Sequence, residues 1–243
     1  MSIYGFFKRH KNGRHGSTVR DISSYSARRR QADTDRSRIG MLEERMANQQ
    51  NGTWLSGSRA AQESYGNSLI QVAKDCGLFM THDECRALGR KKLLPSGESA
   101  IYENAQQGIV YKVRDPFAKL HLKSANLNSI LYEHIIHNLL FPETAYSFVG
   151  ISEVAGNLRI VLSQKFVFET HVPTQEQVEK YLAGLGLMPE ERYYYGNEYL
   201  AITDVNSTGD NVLLSAEGRL LFIDPIIKLK RPADEIIEYL LRQ

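Results

Sequence analysis

The chain has 243 residues, 42% hydrophobic and 24% charged, which is enough for a sizeable buried core and excludes a disordered or fibrous class. The net charge is +2, yet residues 1–46 carry 11 Lys/Arg against 5 Asp/Glu, a local +6 that leaves the remainder at −4. The basic excess therefore belongs to an N-terminal arm, and the acidic body argues against nucleic-acid binding as its main business. Two cysteines nine positions apart, Cys76 and Cys85, make neither a disulfide framework nor a zinc spacing, as expected of free thiols in a reducing cytosol. No apolar run approaches the ~18 residues of a membrane span, and the early positive charges lack the apolar stretch of a secretory signal. The expectation is a cytoplasmic protein with no membrane partner.

Residues 1–57 are rich in Arg, Ser, Asn and Gly and read as a basic, disordered arm; contact with nucleic acid or an acidic partner is the sharper alternative. A weakly amphipathic short helix is expected near 36–48, through Ile39, Leu42 and Met46. Residues 58–90 read as a helical pad, with Leu69, Ile70, Val72 and Ala73 at helical spacing, a stop at Gly77, and a second start at Thr81-His82-Asp83-Glu84. From Lys91 the pattern turns strand-like. Residues 97–102 and 109–113 predict an antiparallel hairpin. Lys112 lies within the second, apolar strand: either it snorkels from an edge, or it is held in a cleft for phosphate oxygens. Residues 126–140 predict a helix that ends before Phe141-Pro142. Glu133 lies in its middle, 21 positions after Lys112, and is expected to pair with that lysine.

Strands are expected at 146–154 and 158–167, joined through Ala155-Gly156-Asn157. The second ends at Gln164-Lys165-Phe166-Val167, and the exit at 168–173 reads as a connector whose backbone, near Gln164 and Phe166, would meet an adenine edge. Thr174-Gln175-Glu176-Gln177 is a capping box opening a helix to Gly184 or Gly186. From Pro189 an irregular passage is expected. Its Tyr193-Tyr194-Tyr195 run reads as packing rather than as a base-stacking platform. An amphipathic helix is expected over 233–242.

Residues 201–229 concentrate the polar chemistry. Asp204 follows one apolar run, Asn211 opens a second, and Asp224 follows a third and precedes Pro225. Glu217-Gly218 predicts a tight turn between the second and third runs, with Asn211 and Asp224 at the open ends of that hairpin. One amide oxygen and two carboxylates brought together suit Mg²⁺ with a phosphate attached.

Together these motifs resemble the kinase-like domain of phage and mobile-element polyvalent proteins. The residues that carry the likeness are Ser96-Gly97-Glu98-Ser99-Ala100-Ile101-Tyr102, Val110-Tyr111-Lys112-Val113, His137-Asn138-Leu139-Leu140-Phe141-Pro142, Ile202-Thr203-Asp204 with Asn211-Val212-Leu213, and Phe222-Ile223-Asp224-Pro225. The likeness covers roughly residues 65–230. It implies an α+β, minimal two-lobed protein-kinase-like fold: a first lobe over 91–170 and a reduced second lobe over 171–243. It also implies ATP and Mg²⁺ as cofactors, with phosphoryl transfer to a hydroxyl on a protein. Lys112, oriented by Glu133, would hold the α/β-phosphates, with Gly97, Glu98 and Ser99 in the phosphate loop. Asp204 would be the base, and Asn211 and Asp224 the metal ligands. The chain departs from the pattern in three ways. The phosphate loop has one glycine, and 19 residues follow Asp224, too few for a long activation segment. Asp204 and Asn211 are seven apart where kinases space them by five, so a bulge over 207–210, or Asn206 or Asp210 in their place, is required. A catalytically inactive kinase-like binding module, engaging a protein or nucleic acid, is the competing reading.

Overall fold

Apolar spacing, not overall composition, decides where the first helix lies. α1 (Ile22–Gln49) covers residues expected to be an irregular arm. Asp35, Ile39, Leu42 and Met46 recur at helical spacing and are all buried, so the short helix read near 36–48 is part of a 28-residue one. This is a computed structural model that describes residues 22–49, 59–92, 99–117, 130–167, 170–191, 193–207 and 211–243. The chain is a mixed α+β protein that divides into two compact units, one of residues 34–136 and 145–166, the other of 1–33, 137–144 and 167–243. Among the described residues no helix is long and apolar enough to cross a membrane.

In the first of these units α2 (Arg59–Asp75) buries Leu69, Ile70, Val72 and Ala73, the face expected. β1 (Phe79–Met80) is a strand where none was expected. α3 (His82–Ala87) opens on a reciprocal capping box between Thr81 and Glu84. β2 (Arg90–Lys92), β3 (Ser99–Asn104) and β4 (Ile109–Arg114) follow. α4 (Glu133–Leu140) contributes residues to both units, and a 3-10 turn (Pro142–Thr144) comes after it. Glu133 is therefore the first residue of its helix and not its middle; the earlier part of the helix expected over 126–140 falls mostly outside the described residues. β5 (Tyr146–Val154) and β6 (Asn157–Lys165) meet across Ala155 (φ 51°) and Gly156 (φ 77°), two successive left-handed residues that suit a tight hairpin. The sheet order is β1-β5-β6-β4-β3-β2, antiparallel except for the β1–β5 pair. α2 packs on β5 and β6, so the helical pad shares a core with the sheet.

One tight approach in this sheet yields a prediction. A Cβ at Gly150 would lie 2.5 Å from the Leu78 carbonyl oxygen, which accepts the Ile151 N–H at 2.9 Å. That oxygen is backbone and already hydrogen-bonded, so it cannot give way as the Met80 side chain, 3.3 Å from the same Cβ, can. Gly150→Ala is expected to cost about 1–3 kcal/mol in urea unfolding with an unchanged m-value.

The second unit holds β7 (Thr170–His171), α5 (Gln175–Gly184), β8 (Met188–Glu191), β9 (Tyr194–Gly196), β10 (Leu200–Thr203), β11 (Val212–Ser215), β12 (Leu220–Phe222), β13 (Ile226–Leu229) and α6 (Ala233–Arg242). α5 opens on the expected capping box, Thr174 with Gln177. The strands form two sheets, β13-β10-β9-β8 and β12-β11-β7. The passage from Pro189, expected to be irregular, is the β8–β9 hairpin; Pro189 is tolerated because β8 is an edge strand. Two of the three tyrosines are packing residues and Tyr193 is exposed: Tyr195 is buried and bonds Glu179 and Gln175, and the Tyr194 hydroxyl accepts a bond from Lys228 at 2.7 Å. Burial, with Glu179 adding to it, pushes the Tyr195 hydroxyl up from its usual pKa.

Candidate active site

The β11–β12 hairpin turns through Gly218 (φ 79°), as its Glu-Gly pair predicts. Val212 pairs with Phe222, and one step further out the Ile223 N–H donates to the Asn211 carbonyl at 2.8 Å. Asn211 and Asp224 thus stand at the open end of the hairpin. Asp204 comes to the same end by a different route. β10 runs antiparallel to β13 with Thr203 opposite Ile226, so the residue leaving β10 and the bend entering β13 are neighbours. Asp224, between β12 and β13, is where the chain passes from one small sheet to the other.

Asp204 and Asn211 touch directly. Asn211 Nδ2 donates to Asp204 Oδ2 at 2.6 Å and to the Asp204 carbonyl at 3.3 Å. Their seven-residue spacing is therefore compatible with contact; Thr208, Gly209 and Asp210 of the expected bulge lie outside the described residues. Asp204 has φ 62°, a left-handed conformation costing about 1–2 kcal/mol for a residue with a Cβ and found often at functional sites. Three contacts hold it there. Asn211 grips its side chain and carbonyl, the next residue Val205 is fully buried, and the Ser207 N–H donates to Gln175 Oε1 at 3.1 Å at the start of α5.

The bend at Asp224 has its own support, which the sequence reading missed. The Phe222 carbonyl, two residues before Asp224, accepts from Thr144 Oγ1 at 2.5 Å and lies 3.1 Å from His137 Nε2. The Phe222 ring stacks on Phe141 at 4.2 Å and lies 5.1 Å from the Tyr181 ring. The His137-Asn138-Leu139-Leu140-Phe141-Pro142 motif thus supports the hairpin through its buried His137 and Phe141. Its histidine followed by Phe-Pro was the available signal, but its partner 85 positions away was not legible.

In the other unit, strand alternation puts Val110, Lys112 and Arg114 on one face of β4 and Tyr111 and Val113 on the other. Lys112 is buried at 8% exposure, in a central strand, which removes the edge-snorkelling reading. Its ammonium donates to the Tyr146 hydroxyl at 2.7 Å. The expected Lys112–Glu133 pair is not formed. Glu133 instead takes Arg114 Nη2 at 2.8 Å, because as the first residue of α4 it lies beside the end of β4. Arg114 faces Ser99 across the β3–β4 ladder, at the strand end that follows the Gly97 segment. Gly97 and Glu98 lie outside the described residues, and for Ser99 only the backbone is described. The two residues expected near adenine are committed within the sheet. Gln164 lies between Val110 and Tyr146 in the ladder, and the Phe166 N–H donates to the Gly108 carbonyl at 2.8 Å. The Phe166 amide is therefore not a donor for an adenine edge.

The oxygen chemistry at the hairpin end fits Mg²⁺. With Nδ2 committed to Asp204, Oδ1 is the Asn211 atom able to ligate a cation, and Asp224 has a carboxylate; both are hard donors. Among the described residues no cluster of three or more His, Cys, Asp or Glu forms a metal cage.

A family model described as a serine/threonine/tyrosine kinase found in polyvalent proteins matches residues 62–231, more than half of the chain. No curated protein and no solved structure matches it.

Proposed function

The chain belongs to the family of serine/threonine/tyrosine kinases found in polyvalent proteins, and from that premise we propose that it is a minimal two-lobed kinase that transfers the γ-phosphoryl group of ATP to a hydroxyl on a protein. The observation that carries the reading is the direct bond between Asn211 and Asp204, at the hairpin end that also bears Asp224. Phosphoryl transfer asks the protein for positioning and charge neutralisation more than for covalent chemistry. Lys112 supplies a buried positive charge for phosphate oxygens. Asn211 Oδ1 and Asp224 would hold Mg²⁺, which when bound offsets the charge of the phosphates. Asp204 accepts the acceptor hydroxyl's proton as its oxygen bonds to the γ-phosphorus; the bond to the β-phosphate oxygen breaks, and ADP leaves. The left-handed backbone at Asp204 and the Asn211 clamp fix the base before substrate arrives.

One observation favours a second reading, an inactive kinase-like binding module: Lys112 is engaged by Tyr146 and not by Glu133. Calorimetric binding of Mg-ATP together with transfer from γ-labelled ATP separates the two. The kinase is expected to bind and transfer, and Lys112→Met to lower transfer by about 10²-fold or more. Binding without transfer selects the inactive module. Absence of both overturns the assignment.

A further inference from the structure

We infer that α1 is a positioning element of the kinase unit: by clamping the start of α4 on both sides of Glu133, it sets the Glu133–Arg114 pair and thereby the phosphate-facing end of β4. This rests on the kinase reading and goes beyond it, since α1 lies before the residues that the family model matches.

The contacts are specific and converge on one place. Tyr132, immediately before Glu133, donates its hydroxyl to Glu43 Oε2 of α1 at 2.5 Å. His134, immediately after it, has Nε2 3.5 Å from Asp35 Oδ2 of α1, a close polar approach short of a hydrogen bond, with both side chains buried. Asp35 also accepts the Phe148 N–H at 3.2 Å, and Arg38 donates to the Phe148 carbonyl at 3.1 Å. Phe148 borders an irregularity in the β5–β6 register. The α1 side chains therefore satisfy backbone groups of β5 that a further strand would otherwise have to pair. Ile39 and Leu42, fully buried on the same helix face, supply the apolar contact.

Glu133 stands between these two anchors. Its carboxylate holds Arg114, which faces Ser99 at the strand end following the Gly97 segment. A guanidinium there, two positions along the same strand face from Lys112, is a second cation for a phosphate chain. Glu43 and Asp35 touch no substrate in this scheme; they are positioning residues acting through α4 and Arg114. The basic arm read from composition thus contains, over 35–43, part of the framework of the unit that carries Lys112.

The test uses full-length protein and steady-state kinetics with Mg-ATP. Glu43→Ala is expected to raise the KM for Mg-ATP about tenfold, the scale of one hydrogen bond to a charged group, with a smaller change in kcat. Arg114→Ala is expected to raise KM by a similar factor, and the double variant by no more than either alone, because both act through one contact chain. Glu43→Gln retains an acceptor for Tyr132 and is expected to restore most of the loss; Tyr132→Phe is expected to reproduce Glu43→Ala. Multiplying effects in the double variant, or a Glu43→Ala protein with lowered thermal stability and unchanged KM, overturns the inference while leaving the kinase reading in place. If Glu43→Ala does not fold, Tyr132→Phe decides: wild-type KM in that variant overturns the inference. A wild-type protein that does not bind Mg-ATP overturns both.

Discussion

Asp224→Ala is expected to abolish the Mg²⁺-dependent part of ATP binding, weakening it by about 10²-fold or more, and to eliminate transfer. The carboxylate at the β12–β13 bend is one of two hard oxygen donors assigned to the cation, and an amide oxygen alone is a poor anchor for an ion that dehydrates reluctantly. The bend itself is expected to survive. Its backbone is held from Phe222, through Thr144, His137 and the Phe141 stack, and from the Ile223–Asn211 pair, none of which uses the Asp224 side chain. Calorimetric titration of ATP with Mg²⁺ and with EDTA checks this. Wild-type protein is expected to lose affinity in EDTA, and the variant to show the same weak binding in both. A variant that retains the Mg²⁺ dependence would remove Asp224 from the metal site, whatever the fate of transfer.

What could be read from sequence follows from the range of the interactions involved. The β5–β6 hairpin, the α5 capping box and the β11–β12 hairpin are encoded by residues within a few positions of one another. Ala155-Gly156, Thr174 with Gln177, and Gly218 specify their geometry locally. Asn211 and Asp224 were legible for the same reason, since a tight turn fixes what stands at its two ends. The pairings of Lys112 and Glu133 were not, because they depend on where α4 begins relative to β4. A helix starting at Glu133 rather than earlier brings that carboxylate to Arg114, and Tyr146, from a strand two places over in the sheet, takes the lysine. α1 was obscured by composition. Its buried stripe is four residues among many polar ones, and one of the four is Asp35, whose partners lie about a hundred positions downstream. The strands β8 and β9 were missed because Pro189 reads as a breaker unless the strand is known to be an edge.

Asp204→Asn is expected to reduce transfer by about 10²–10⁴-fold, the usual range for a lost general base, while leaving Mg-ATP affinity within about threefold of wild type. The choice of asparagine matters. Asp204 has two roles to separate: its carboxylate is the proposed proton acceptor, and its Oδ2 and carbonyl hold the Asn211 amide. Alanine removes the carboxylate and with it the shorter of the two bonds to Asn211, leaving only the 3.3 Å bond to the carbonyl, so a loosened Asn211 would weaken binding for reasons unrelated to the base. Asparagine keeps an acceptor oxygen for Asn211 Nδ2 and is among the residues that best tolerate the left-handed φ of 62°. The proton-accepting capacity is lost, together with the negative charge. Comparison of the two variants then separates the roles: Asn is expected to lower kcat alone, Ala to lower kcat and raise KM. Equal transfer by the Asn variant and wild type would move the base away from Asp204. Within the seven-residue interval to Asn211 the acidic alternative is Asp210. Loss of binding in the Asn variant would instead mean that the Asp204 charge itself contributes to holding the cation, making it a third ligand beside Asn211 and Asp224.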